Sequence, residues 1–147
     1  EIADTTLSIP HPYPREAATG WIETHPAAWD AGNQAHFAIT VRSEGVVGAM
    51  SLIIAKSQDW AEVGYWVGAP YWGRGYCTEA ARLAVDFAFR ELGLHRVQGH
   101  HLVRNPASGR VMQKIGMQQE GLHRDAVKKW DVYEDIETYG IIASQWG

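Results

Sequence analysis

The chain has 147 residues, of which 46% are hydrophobic and 20% charged, and its formal net charge is −4 at pH 7. This ordinary composition excludes a disordered or fibrous chain, and the length predicts one compact domain over residues 1–147. The excess of Asp and Glu over Lys and Arg argues against a protein that binds nucleic acid through many phosphate contacts.

Features that would target the chain to a membrane or an oxidising compartment are absent from the sequence. Cys77 is the single cysteine, so no internal disulfide can form, and no apolar run reaches the roughly 20 residues that cross a bilayer. We therefore expect no signal peptide, no membrane partner and a cytoplasmic location. The chain begins with Glu1 instead of Met, which we interpret as a fragment, a processed start or a missing leader.

The N-terminal third is the least regular part of the sequence. Residues 10–14 alternate proline with other residues, which predicts an extended loop, because proline lacks an N–H donor and restricts the residue before it. A short helix is predicted over about residues 15–24. Alternating apolar residues then predict an antiparallel hairpin with strands over 37–42 and 46–54, followed by a third strand over 62–67.

A helical period replaces the alternation after the third strand. Apolar residues recur at helical spacing from Ala80 to Ala88, which predicts a long amphipathic helix that ends near Gly93. A strand over 96–103 follows. A second helix is predicted over 106–115, because Asn105 suits the N-cap, Pro106 the first helical position and Gly116 the stop.

Two further strands complete the predicted sheet, over about 117–122 and 134–142, with a turn at Trp130-Asp131 before the last one. Strands followed by helix, strand, helix and strands predict a mixed α/β sheet with helices on its faces.

The glycine-rich turn after the third strand is the most informative segment. Backbone amides approach a phosphate closely only where no Cβ intervenes, and the first amides of a helix have no partner within it. Gly73-Arg74-Gly75 is therefore a candidate anion site, although such turns also carry glycines for steric reasons alone. The turn lacks the Lys-Ser/Thr pair of a P-loop and the third glycine of a dinucleotide fingerprint.

Two segments carry a family resemblance. The stretch from Tyr65-Trp66-Val67 to Gly73-Arg74-Gly75-Tyr76-Cys77-Thr78-Glu79-Ala80 resembles the coenzyme A-binding segment of RimJ/RimL-like GNAT acetyltransferases. The stretch from Asn105-Pro106-Ala107-Ser108 to Lys114-Ile115-Gly116-Met117 resembles their second signature. The resemblance runs from about residue 6 to residue 142. It implies a GNAT-like α/β fold with a mixed, mostly antiparallel sheet and helices on both faces, lacking the family's first strand.

The resemblance also implies an N-acetyltransferase that uses acetyl-CoA. The strand edge that would pair with the pantetheine arm consists of Trp66, Val67 and Gly68. The amides that would hold the pyrophosphate belong to Gly73, Arg74, Gly75, Tyr76, Cys77 and Thr78. Asn105 would bond to the arm near its thiol end, and Ser108 would lie near the sulfur.

Acetyl transfer is the attack of a neutral amine on a thioester, so the site needs an oxyanion donor, a base and a proton donor for the thiolate. A backbone amide near Val67 is the candidate for the oxyanion. Glu62 is the candidate base, acting through water, although it also fits a solvated strand end. Ser108 is the candidate proton donor, although a serine there also fits capping or packing. The second-choice bases are His36, His100 and His101, because imidazole titrates near neutrality.

No metal site is expected, because His100 and His101 would point to opposite faces of a strand and Cys77 lacks a partner at metal-site spacing. Neither Ser108 nor Cys77 stands in a recognisable triad setting, so a covalent mechanism has no support. The Lys128-Lys129 pair fits a solvated turn. Three tryptophans near element ends are candidates for the wall of an acceptor groove: Trp21, Trp60 and Trp130.

The expected partner is an amine acceptor, either a peptide N-terminus or a small molecule, and a homodimer is compatible with the resemblance. An α-amine has a pKa near ~7.7–8.0 and a lysine-like amine has one near ~10.4. The α-amine is therefore more often neutral at physiological pH and depends less on a strong base. A weakly basic amine is therefore favoured over a polyamine. Alternation would split the one acidic cluster between two faces: Asp131, Glu134, Asp135 and Glu137. The alternatives are a non-catalytic acyl-CoA-binding module and an interaction domain without cofactor.

Overall fold

The computed structural model describes every residue from Glu1 to Gly147 and contains five α-helices and six β-strands. The helices are α1 (Ile2–Thr5), α2 (Arg15–Glu23), α3 (His25–Asp30), α4 (Tyr76–Arg90) and α5 (Pro106–Lys114). The strands are β1 (Gln34–Val41), β2 (Gly45–Ala55), β3 (Trp60–Val67), β4 (Arg96–Leu102), β5 (Gln118–Lys129) and β6 (Val132–Ile142). None of the helices combines the length and the apolar character that crossing a bilayer requires.

All six strands form one sheet in the order β1-β2-β3-β4-β6-β5. Every neighbouring pair is antiparallel except β3 and β4, which run parallel and are joined through α4. The mixed, mostly antiparallel sheet that the resemblance implied is thus confirmed. β1 forms one edge of the sheet, and residues 1–33 contain no strand.

Helices cover both faces of the sheet, as expected. Phe37 of β1 contacts Phe87 of α4, with ring centroids 5.4 Å apart. Its neighbour His36 points to the other face and stacks on His25 of α3 at 3.8 Å, because successive strand residues alternate between faces. We call the two sides the α4 face and the α2 face. α5 lies on the α4 face, where its Met112 closes over Gly99.

The hydrophobic core lies between the sheet and α4 and α5. Leu52, Val85 and Val97 are completely buried in a cluster of 19 residues. Burying one such side chain stabilises the fold by about 1.5–3 kcal/mol. On α4, the residues that face the sheet include three buried alanines, Ala81, Ala84 and Ala88. Their short side chains let the helix lie close to the strands.

The N-terminal region and the last hairpin differ from expectation. The predicted helix over 15–24 is confirmed as α2, but α1 and α3 were not predicted, and both are too short to show a clear helical period. β5 was predicted to stop near residue 122 and instead continues to Lys129. Most of its side chains are exposed, so it lacks the apolar alternation that marks a half-buried strand.

The turn predicted at Trp130-Asp131 is confirmed. Both residues adopt left-handed backbone conformations, with φ of 46° and 65°, and they connect β5 directly to β6. The solvated interpretation of Lys129 was wrong. Its side chain is buried, its ammonium donates to the carbonyl of Thr6 and it lies 4.5 Å from the ring of Trp130. This contact ties the hairpin to the segment that follows α1.

Candidate active site

A cleft opens where β3 and β4 separate. The two strands pair only at Trp60 with Arg96, Ala61 with Val97 and Glu62 with Gln98. Beyond these three pairs, β3 keeps β2 as a neighbour but has no strand on its other side. The unpaired edge of β3 therefore carries free backbone groups into the cleft, and a short 3-10 turn at Ala69–Tyr71 connects it to the glycine turn.

The backbone of Val67 faces this cleft. The amide of Gly68 donates to the carbonyl of Val47 on β2 at 2.8 Å. Neighbouring residues of a strand direct their amides to opposite edges, so the N–H and C=O of Val67 point away from β2. The carbonyl of Val67 accepts a 2.6 Å bond from the indole nitrogen of Trp72. The N–H is oriented for a ligand that lies along the strand.

The glycine turn has the backbone that the anion-site prediction needs. Gly73 and Gly75 have φ of +73° and +80°, in the left-handed region that glycine adopts without strain. Gly75 is the N-cap of α4 and supplies no side-chain cap, so the amides of residues 76–78 have no partner inside the helix. A Cβ built at either glycine would meet nothing within 4 Å, which means that the turn borders open space.

Asn105 and Ser108 lie at the start of α5, across the cleft from β3. Asn105 occupies the predicted N-cap position, but its side chain forms no capping hydrogen bond, so the amide group is available to a ligand. The main-chain carbonyl of Ser108 accepts a 2.8 Å bond from the hydroxyl of Tyr65, and the hydroxyl of Ser108 lies 3.1 Å from the same Tyr65 oxygen. These two bonds connect β3 to α5.

Glu62 forms an ion pair that the sequence did not reveal. Its carboxylate lies 2.8 Å from Nδ1 of His100, and both side chains project from the α2 face at the point where the cleft begins. The hydrogen bond from His100 lowers the pKa of Glu62. The same bond raises the pKa of His100 against the effect of burial. The two groups therefore act as one proton-binding unit.

The two adjacent histidines do point to opposite faces, as predicted. His101 is buried on the α4 face, where its Nδ1 lies 2.7 Å from the carbonyl of Leu102 and its Nε2 lies 3.1 Å from Glu137. This position removes His101 from the candidate bases. Burial raises the pKa of the Cys77 thiol to about 12. Cys77 is thus a neutral thiol at physiological pH, which agrees with the absence of a nucleophile setting.

A second imidazole cluster covers the α2 face near β1. The stacked rings of His25 and His36 are joined by Trp21 of α2, whose ring centroid lies 4.4 Å from His25 and 5.3 Å from His36. Burial lowers the pKa of both histidines, and the neighbouring His25 lowers that of His36 further. Of the three tryptophans suggested for a groove wall, Trp21 is the one in this cluster. Trp60 begins β3, and Trp130 lies in the hairpin turn.

The acidic residues of β6 and of the turn before it are already paired. Glu134 and Asp4 of α1 share the guanidinium of Arg104, with distances of 2.7 and 2.9 Å. Glu137 contacts His101, Asp135 accepts a hydrogen bond from the amide of Asp125, and Asp131 pairs with Lys128. Within β6, Glu134 alternates with Asp135 and Glu137, so part of the cluster divides between the two faces of the strand.

Sequence reasoning missed Tyr65 and the partnership of Glu62 with His100. The alternation of residues along each strand predicted that Glu62 and His100 belong to strands. It gave no register between β3 and β4, so the contact of the two residues was not predictable. Tyr65 stood inside the first signature, and no pattern in the sequence connected it to a serine 43 residues later.

The chain resembles known acetyltransferases in sequence and in fold. The family described as acetyltransferase (GNAT) domain matches residues 2–118. The chain is 40% identical over 110 residues to "Probable N-acetyltransferase YjcK" of Bacillus subtilis, covering 73% of this chain and 61% of that protein. It is 29% identical over 63 residues to the ribosomal protein uS5 alanine N-acetyltransferase of Escherichia coli, covering 43% and 32%.

A crystal structure described as a probable acetyltransferase superposes with a TM-score of 0.82 and 28% identity, covering 91% of this chain and 77% of that one. The chain spans about half to three fifths of the length of the first curated relatives that it matches. The family match covers most of the chain and agrees with the similarity in fold. The chain therefore belongs to the GNAT acetyltransferase domain family.

Proposed function

We propose that this protein is an acetyl-CoA-dependent N-acetyltransferase of the RimJ/RimL-like branch, which moves an acetyl group onto a primary amine by direct attack on the thioester. One observation carries the proposal beyond family membership: the unpaired edge of β3 is followed, after a short 3-10 turn at Ala69–Tyr71, by the glycine turn. An extended amide chain and a pyrophosphate attached to it would therefore meet their binding groups one after the other along the chain. A cytoplasmic location belongs to the same proposal.

In this proposal the donor binds mainly through the backbone. The pantetheine arm lies along the open edge of β3 beside Trp66, Val67 and Gly68, in the manner of an added strand, and bonds to the residues whose backbone points away from β2. The pyrophosphate accepts hydrogen bonds from the turn and from the first amides of α4, where the helix dipole favours negative charge. The side chain of Asn105 bonds to the arm from the opposite wall of the cleft.

The chemistry then needs three groups near the thioester. The N–H of Val67 stabilises the oxyanion that forms when the amine attacks the carbonyl carbon. The pair of Glu62 and His100 accepts a proton from the amine, directly or through one water. Ser108 gives a proton to the departing thiolate and recovers one from solvent, so the products are an amide and a free thiol.

The acceptor in this proposal is a weakly basic primary amine, either a protein N-terminal α-amine or a small molecule. The carboxylates of Glu62, Glu120 and Glu134 are paired with His100, Arg96 and Arg104, so they offer a weak attraction for a polycation. The E. coli relative acts on an alanine of a ribosomal protein, according to its name, which supports the α-amine option.

The alternative function is a non-catalytic acyl-CoA-binding module. The donor cleft supports both functions equally, because it consists of backbone groups that bind without performing chemistry. The pairing of Glu62 with His100 at the mouth of the cleft favours the enzyme, since a purely binding module has no use for a proton acceptor there.

One assay tests the enzyme and its acceptor together. Acetyl-CoA is offered at pH 7 with a short peptide bearing a free N-terminus, an N-blocked lysine peptide or spermidine at one concentration, and release of free thiol is followed. We expect the free α-amine to give the highest initial rate. Clear preference for spermidine would contradict the acceptor proposal. CoA binding without thiol release for any amine in a broad panel would favour the binding module.

A further inference from the structure

Tyr65 and Ser108 form a reciprocal pair across the mouth of the cleft. Tyr65 donates to the main-chain carbonyl of Ser108 at 2.8 Å, and the two side-chain oxygens lie 3.1 Å apart. Tyr65 belongs to β3, two residues before Val67, and Ser108 belongs to the first turn of α5. The pair therefore spans the same gap that the thioester must enter.

The bond between the two hydroxyls can run in either direction. A hydroxyl is both a donor and an acceptor, and its hydrogen rotates to suit its neighbours. In the free protein, Ser108 donates to Tyr65 and Tyr65 donates to the carbonyl. If the hydrogen of Tyr65 turns to the oxygen of Ser108, the hydrogen of Ser108 is released toward the cleft without movement of a heavy atom.

We propose that Tyr65 is a positioning residue for acetyl transfer: it reverses its hydrogen bond to Ser108 and thereby directs the proton of Ser108 to the departing sulfur. This inference rests on the proposed function. Serine is a much weaker acid than a thiol, so loss of its proton leaves negative charge on the serine oxygen. A hydrogen bond from Tyr65 to that oxygen stabilises the charge, and bonds to charged groups are the strong ones.

Tyr65 is protonated in the free protein, because its ring is largely enclosed and burial raises the pKa of its hydroxyl well above the usual range. It can therefore donate this hydrogen bond. A serine hydroxyl is a weaker acid than a phenol, so the charge left on Ser108 is shared with the hydroxyl of Tyr65 along the bond. The proton that sulfur gains comes from Ser108, the bond that breaks joins sulfur to the acetyl carbon, and solvent restores the serine hydroxyl.

The test compares Tyr65→Phe with Tyr139→Phe. Both changes remove one buried tyrosine hydroxyl and keep the ring, and Tyr139 is a matched control because its hydroxyl bonds to Gln113 of α5 and not to Ser108. We expect Tyr65→Phe to lower kcat by about tenfold to a hundredfold, the loss of one bond to a developing charge. KM for acetyl-CoA and CoA affinity by calorimetry should stay within about twofold, and Tyr139→Phe should keep its kcat.

Two further measurements separate positioning from a structural role. In a Ser108→Ala background, Tyr65→Phe should cause no additional loss of kcat, because the group that it positions is gone. With an aryl thioester of acetate, whose thiolate leaves without a proton, Tyr65→Phe should cost less than about twofold in rate. An equal loss in both backgrounds, an equal loss with both donors, or an unchanged kcat would overturn the role of Tyr65.

The outcome for wild type keeps the two proposals distinguishable. If wild type releases thiol with an amine and Tyr65→Phe matches it, only the role of Tyr65 fails. If wild type binds CoA but turns over no amine, the proposed function fails, and the positioning role fails with it.

Discussion

In the function that we propose, the donor side of the cleft and the titratable groups of the α2 face are built in different ways. The donor side is almost continuous in sequence, running from Trp66 to Thr78, and it acts through backbone groups whose directions follow from strand alternation and from glycine. The titratable groups of the α2 face, by contrast, are single side chains from distant elements, and with Trp21 they comprise His25, His36, Glu62 and His100. The comparison teaches that a binding function can be encoded locally, whereas the proton chemistry depends on tertiary neighbours.

The two sides also differ in what a substitution should do. A change in the glycine turn alters access to backbone amides and should appear in donor affinity. A change among the imidazoles and Glu62 alters protonation and should appear in pH dependence. Three substitutions test whether donor affinity and pH dependence separate in this way, and they are given in order of decreasing expected effect.

The largest effect is expected for Gly75→Val, with Gly45→Val as its control. Both glycines have φ of +80° and open space around a built Cβ, so both variants carry the same backbone strain. Only at Gly75 does the new side chain stand where the pyrophosphate would lie. We expect Gly75→Val to lower CoA affinity by about a hundredfold or more, which corresponds to the loss of two hydrogen bonds to a charged group. Gly45→Val should lower it by less than about twofold. Equal affinities in calorimetry would contradict an amide-lined donor site.

A smaller effect is expected for Glu62→Gln. The variant should lower kcat by at least about tenfold while acetyl-CoA binds normally. Because Glu62 raises the pKa of His100, and the base must be neutral to accept a proton, wild-type kcat should rise with pH across that raised pKa. Without the carboxylate, the pKa of His100 falls and the rising limb moves to lower pH.

The pH profile of kcat measures this shift. Glu120→Gln is the control, because Glu120 is also a strand carboxylate with a basic partner, Arg96, but lies on the edge strand β5. A limb that stays in place in Glu62→Gln would show that His100 is not the titrating group, and unchanged kcat at every pH would remove Glu62 from the mechanism.

The smallest effect is expected in stability, for His36→Phe. Burial lowers the pKa of His36, so the folded state binds fewer protons than the unfolded state near that pKa. The stability that results is complete above the unfolded pKa of about 6.5 and is lost as pH falls toward the folded value. Wild type should therefore melt at a lower temperature at pH 5 than at pH 7.5. Each kcal/mol of lost stability lowers the melting temperature of a domain of this size by about 2–4 °C.

His36→Phe should show a smaller drop in melting temperature between the two pH values, because the aromatic stack on His25 remains and one protonation site is gone. His11→Phe is the control, since His11 is exposed in the loop before α2, and it should keep the wild-type drop. A drop of equal size in His36→Phe and wild type would mean that the imidazole cluster does not couple protonation to folding.

Much of the fold could be predicted, for identifiable reasons. α4, α5 and the first hairpin combine a regular apolar period with clear end signals, such as Pro106 at the start of α5 and Gly116 with φ of +93° at its end. β5 was cut short because an exposed edge strand has no apolar period. The length of β5 follows from its pairing with β6 and from a bulge beside Asp125, whose amide bonds to Asp135.

The family resemblance, the order of the main elements and the position of the glycine turn could all be inferred from the amino-acid residues. These features are local, because they depend on residue spacing, on glycine at positive φ and on the unpaired amides of a helix start. The contact of Glu62 with His100, the contact of Tyr65 with Ser108 and the burial of Lys129 became visible in the folded chain alone. Each of these contacts depends on strand register or on the angle between distant elements, which the packing of the whole core sets.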